Sequence, residues 1–211
     1  YQQGPLREKI IQKIENSLWR RGSEEDSDSA AASDGFAGQS KWVGVMCAII
    51  IELENKGIGS SHMQFGSSTR PLDNGQSYLE DFWSEINNRL FPRLLDAIGH
   101  PYQKCREQIA WCLFCMCNCH AKLRQQSRCK NDTSSYFSLP SPGDRVLETF
   151  KGLDNLSEIS PKELQLCLTT ARFFVFYCLH YGDNKNEYAD FILPLLPMAF
   201  EAIKPDGLSE G

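Results

Sequence analysis

The chain has 211 residues, 41% of them hydrophobic and 23% charged, a balance that fits a globular chain with a real core and excludes a disordered or fibrous one. The 22 basic residues stand against 27 acidic ones, a net charge of -5, so neither a nucleic-acid groove nor a polybasic membrane patch is expected. The longest candidate span, Ala171 to Leu179, is far too short to cross a bilayer.

Leu6 to Arg21 carries apolar residues at Leu6, Ile10, Ile11, Ile14, Leu18 and Trp19, the spacing of one helical face, and Gly22 ends it. Residues 22–40 are acidic and rich in Ser, Ala and Gly, too poor in large apolar groups to offset the entropy of ordering, and are expected to be a disordered loop. Its Ser23-Glu24-Glu25-Asp26-Ser27-Asp28 run would suit an acid-directed kinase, although a solvated loop is the simpler reading. Lys41 to Asn55 resumes a helical pattern through Trp42, Val45, Met46, Ile49, Ile50 and Leu53. A Gly- and Ser-rich loop follows at 57–76.

From Ser77 the pattern sharpens. Phe82, Trp83, Ile86, Leu90, Phe91, Leu94, Leu95 and Ile98 make a wide apolar stripe, closed by Gly99-His100-Pro101. Pro101 suits the first position of a second helix running to about Gln126, with Cys105, Ile109, Cys112, Leu113, Met116 and Leu123 on one face. Together they predict an antiparallel hairpin. Residues 128–142 read as a loop and Gly143 to Gly152 as a short helix. Ser160-Pro161-Lys162-Glu163 then supplies an N-cap, a proline at the first helical position and a glutamate at the third. That helix runs to about Tyr181, and a last one from about Glu187 to Ile203, so 41–127 and 143–211 form two helical blocks. No alternating pattern predicts a strand, and the fold class is all-α.

Nine cysteines, five of them between Cys112 and Cys129, make a poor disulfide framework and point to a reducing compartment. The sequons at Asn131 and Asn155 then carry no meaning. The start at Tyr1 and the polar end at Gly211 read as cuts through a longer protein without a signal peptide.

The run from Leu90 to Leu113 resembles a HEAT repeat. Pro92 would bend the first helix along the curve of a stack and Leu94 would fill its core face. Pro101 would open the second helix, Arg106 would follow a small apolar residue as in that family's Val-Arg pair, and Ala110 would permit close helix contact. Pro194, in Leu193-Pro194-Leu195-Leu196, repeats the motif of the first helix. The narrower pattern His100-Pro101-Tyr102-Gln103, Arg106-Glu107 and Ile109 is similar to the very large HEAT-repeat proteasome activators, the proteasome activator complex subunit 4 family. The resemblance implies a HEAT/armadillo-like helical-repeat solenoid fragment with long disordered loops, working without a cofactor in nucleus and cytoplasm. Its implied partner is the proteasome core particle, which the parent would cap to promote ubiquitin-independent degradation, including that of acetylated histones. The family's gate-opening tail with a penultimate Tyr has no counterpart at Ser209-Glu210-Gly211. In the family's bromodomain-like corner, Gly182 stands where the acetyl-binding Asn would be, so no site is assigned there. Scaffolds for transport or for a phosphatase are the rival reading of the same repeats.

A third reading is a cysteine- or zinc-dependent enzyme. Cys112, Cys115 and Cys119 are the metal candidates, but one helix would spread them round its axis, and core packing is the stronger expectation. His62, His100, His120 and His180 could each serve a Cys–His pair, yet no oxyanion turn flanks any cysteine, so no catalytic residue is assigned. Phe173, Phe174, Phe176, Tyr177 and Tyr181 cover more than one face of their helix, which predicts burial on both sides.

Overall fold

A computed structural model describes residues 3–17, 40–52, 83–130, 141–153, 159–182 and 185–201, and among these every regular element is helical. The chain forms α1 (Gln3–Ser17), α2 (residues 40–52), α3 (residues 83–96), α4 (Gln103–Lys130), α5 (Pro142–Gly152), α6 (Pro161–Tyr181) and α7 (Lys185–Glu201). The loops expected at 22–39 and 57–76, the acidic serine run and both sequons lie outside the described residues.

α4 is the axis of the fold. All eight positions from Cys112 to Cys119 are buried, so this stretch is enclosed on every side rather than on one stripe. α4 packs on α6, α6 on α7, α7 on α5 and α5 on α4, so these four helices contact one another in a closed ring. Only three residues separate α6 from α7, which leaves reversal as the route and accounts for their extensive contact. Phe174 of α6, fully buried, stacks on Phe191 of α7 with ring centroids 6.0 Å apart. Tyr188 of α7 donates its hydroxyl to Asn118 Oδ1 of α4 at 2.6 Å, satisfying two buried polar groups at once.

The predicted caps form. Ser160 Oγ accepts the Glu163 N–H at 3.1 Å with Pro161 at the first helical position, and Gly182 N–H closes α6 onto the Cys178 carbonyl at 3.2 Å. The boundary expected at 128–142 is corrected at both ends. α4 continues to Lys130, since Arg128-Cys129-Lys130 holds no helix breaker, and Pro142 already belongs to α5. Ser141 caps α5, accepting the Asp144 N–H at 3.1 Å.

Trp83, Ile86, Leu90, Phe91, Leu94, Leu95 and Ile98 are all buried along α3, as their spacing predicts. Their helix is not uniform: Ile86–Leu90 is π-helical, with the Phe91 N–H reaching the Ile86 carbonyl. Pro92 accounts for this. It lacks an N–H and its ring crowds the carbonyl four residues back, and widening the preceding turn relieves both. Asn87 O is thereby left without an intrahelical donor, and Arg145 of α5 supplies one at 2.9 Å while its guanidinium lies 4.8 Å from the Phe91 ring centre.

α1 lies against α3. Ile11 and Ile14 enter the core, and Arg89 of α3 reaches Glu8 and Glu15 of α1 at 2.9 and 3.0 Å and Glu85 at 3.1 Å. In α2, Val43, Met46, Cys47 and Ile50 are buried, while Val45 faces outward.

Candidate functional site

Of the residues singled out in the sequence, Pro101 and Arg106 lie at or just after the α3–α4 turn, Leu94 and Ala110 in the helices on either side of it, and Pro194 lies apart in α7. Leu94 and Ala110 are fully buried. Pro101 does not open α4, which begins at Gln103; the Tyr102 carbonyl accepts the first helical N–H groups, from Cys105 and Arg106. The cause is His100, whose Nδ1 accepts the Tyr102 N–H at 3.0 Å and holds Pro101 and Tyr102 in a bend ahead of the helix. Arg106 turns back over that bend and donates from Nη1 to the carbonyls of His100 at 2.7 Å and Pro101 at 2.8 Å. Arg106 is 7% exposed, and burial lowers its guanidinium pKa; Nε is buried with no hydrogen-bond partner among the described residues. Burial also pulls the His100 imidazole down to about 4, with Arg106 acting in the same direction.

This turn sits on α6. Thr170 Oγ1 donates to the Ile98 carbonyl, and a side chain at Gly99 would meet Cys167 Sγ at 3.0 Å. The signal for such a staple was present in the sequence as Arg106 six residues after His100, although its two carbonyl partners are visible only in three dimensions. Pro194 lies inside α7 on its exposed side, together with Pro197, and Pro92 acts through the π-turn above.

Cys112, Cys115, Cys117 and Cys119 are buried, as are Cys47, Cys105, Cys167 and Cys178. Interaction with the neighbouring Cys112 thiol and burial push the Cys47 thiol well above the usual range, with Cys115 opposing. Among the described residues no group of three or more His, Cys, Asp or Glu is placed to hold a metal ion. Burial pushes the Cys117 and Cys178 thiols well above the usual range and Cys105 up to about 11, opposite to the depressed pKa of a nucleophilic cysteine.

Two surface features remain. A polar cleft of about 350 Å³ opens between the second half of α4, the start of α5 and α7, lined by His120, Arg124, Asp144, Asp190, Tyr188 and Cys117. Its imidazole, His120, is held below its ordinary pKa by burial and by Arg124, with Asp144 opposing, so the neutral ring is favoured. The second feature is aromatic. Trp111 of α4 meets Tyr177 and Tyr181 of α6 edge-on, with centroids 5.1 and 5.4 Å away and planes at 83° and 89°. Phe176 stacks on His180 at 5.3 Å. The expectation that α6 is buried on both sides is therefore corrected: Phe174 is in the core, but Phe176 and Tyr181 are each 51% exposed. Aromatic content signalled burial, and i, i+4 spacing alone does not say which stripe stays outside.

The position of Gly182 has no room for a larger side chain. A Cβ at Gly182 would come within 2.4 Å of the Cys178 carbonyl oxygen and 2.6 Å of the Tyr188 ring.

No family model matches the chain, and neither does any curated protein or solved structure. The arrangement offers a stapled interhelical turn and two surfaces, one polar and one aromatic, on a helical frame whose buried thiols pack as small apolar groups.

Proposed function

We propose that the chain is a segment of a helical-repeat solenoid scaffold of the proteasome-activator kind, acting through shape and surface. The observation that carries this reading is the seating of the α3–α4 turn, with its Arg106 staple, against the next helix pair through Thr170 and Gly99. In a solenoid each pair buries its apolar face on its neighbour, and a turn of fixed geometry sets the step between pairs. The laying of α4 on α6 and of α5 on α7 fits that scheme, as does a proline in α3 and again in α7. On this reading the full-length parent caps the proteasome core particle in nucleus and cytoplasm and promotes ubiquitin-independent degradation, acetylated histones among its substrates. The segment contributes surface and no bond chemistry.

The test is co-purification of the tagged full-length parent. Core proteasome subunits should come down with it at stoichiometric levels, and the parent should stimulate their peptide hydrolysis. A parent that brings down none of them rejects the activator reading and leaves a scaffold for other partners.

A further inference from the structure

We propose that the outward face of α7, formed by Leu193, Leu196, Pro197 and Phe200, docks a helix of a partner protein that presents an arginine to it. The four residues stand three and four apart, one stripe of the helix. Leu193 and Phe200 are 63% and 64% exposed, Pro197 is exposed and Leu196 is half-buried, so most of the stripe lies open. α3 shows the same pattern under cover. With Pro194 laid on Pro92, Leu193, Leu196 and Pro197 fall on Phe91, Leu94 and Leu95, and all three of those are buried. Part of that cover is Arg145 of α5, whose guanidinium lies 4.8 Å from the Phe91 ring centre while donating to the Asn87 carbonyl at 2.9 Å.

Backbone chemistry on α7 calls for the same cation. Pro194 and Pro197 lack the N–H that would meet the carbonyl four residues back, so the Asp190 and Leu193 carbonyls lose their ordinary helical donors. Residues four apart share a helix face, which puts both acceptors on the side where the two prolines are exposed. Asp190, itself exposed, stands one turn before Pro194 and adds a carboxylate at that end of the stripe. A guanidinium offers five donors in one plane and is weakly hydrated, so it can serve a carbonyl and a carboxylate together while lying on apolar surface. An ammonium is a compact, strongly hydrated point charge and suits the site less well. Charge complementarity and the apolar stripe together select an amphipathic helix with an arginine on its apolar face.

The probe is a peptide of residues 141–153, the molecule's own example of an arginine-bearing helix that meets a proline-marked surface. It is made with arginine or with neutral citrulline at position 145 and titrated into the isotopically labelled 211-residue chain, with the backbone amide resonances followed. The arginine form should shift Leu193 and Phe200 saturably and bind about tenfold more tightly than the citrulline form. Asp190→Asn should weaken it severalfold. Because Asp190 is exposed, that variant should keep its helical circular dichroism, and the citrulline arm leaves the protein untouched. Equal binding of the two peptides would reduce the stripe to a non-selective apolar patch and overturn the proposal. Absence of shifts at Leu193 and Phe200 would overturn it too, as would shifts confined to residues around Phe91, the sign of a peptide displacing α5. Self-association of the chain in sedimentation, abolished by Leu193→Asp, would assign the face to a second copy and overturn the partner. The proposal shares only the match of Pro92 to Pro194 with the scaffold reading, and a parent that captures no proteasome subunits leaves it intact.

Discussion

α6 and α7 meet ring on ring, with Phe174, Phe191 and Tyr188 sealed between them, whereas α1 meets α3 through two buried isoleucines and two carboxylates, Glu8 and Glu15, on Arg89. Apolar burial is insensitive to salt and grows with area, while half-exposed ion pairs are screened and contribute little. The first region should unfold only with the whole molecule, and the second should open first.

The comparison breaks most readily at its strongest point. Phe174→Ala should cost about 3–5 kcal/mol, read as a lower urea midpoint at unchanged slope. If Ile14→Ala in α1 costs as much, the two regions are equally deep and the contrast is wrong. The His100 turn lies between them and should respond to acid. A histidine whose folded pKa is depressed to about 4 from 6.5 leaves the unfolded chain binding more protons in between. The stability it contributes is present above pH 6.5, falls as the pH drops toward 4, and amounts to on the order of 3 kcal/mol. His100→Asn, whose side chain can accept the same Tyr102 N–H without titrating, should flatten the stability profile across that window. Ser160→Ala should cost about 1 kcal/mol by removing the α6 cap, measured by thermal unfolding. The smallest effect is expected at the Arg89 fork. Its guanidinium is held further toward the charged form by Glu8 first and Glu15 next, yet salt should screen most of the gain. Hydrogen exchange in α1 should therefore quicken with added salt while exchange in α6 and α7 stays unchanged.

Much of this fold was legible from the chain. The stripe from Trp83 to Ile98, the Ser160 cap and the ends of α6 follow from period and from local chemistry within four residues. What escaped depends on contacts between distant residues. Nothing local distinguishes Pro101 as a bend residue from Pro101 as a first helical residue, because the difference is made by the His100 ring and the Arg106 staple. The aromatic run on α6 could be read as buried throughout, and only the placement of α4 leaves Phe176 and Tyr181 outside. The long-range bonds of Arg89 and Arg145 gave no signal, since apart from Glu85 one turn away the partners of Arg89 lie 74 or 81 residues off and that of Arg145 lies 58.

The widened turn before Pro92 has a consequence for how such chains change over time. A turn holding a surplus residue is a point where one amino acid could be lost and the helix revert to ordinary winding, rotating everything upstream by about 100°. Such a deletion would also return the Asn87 carbonyl to its own helix and strand Arg145. Length variation in this helix should therefore be accompanied by replacement of the arginine on α5, so that two sites 58 positions apart drift as a unit.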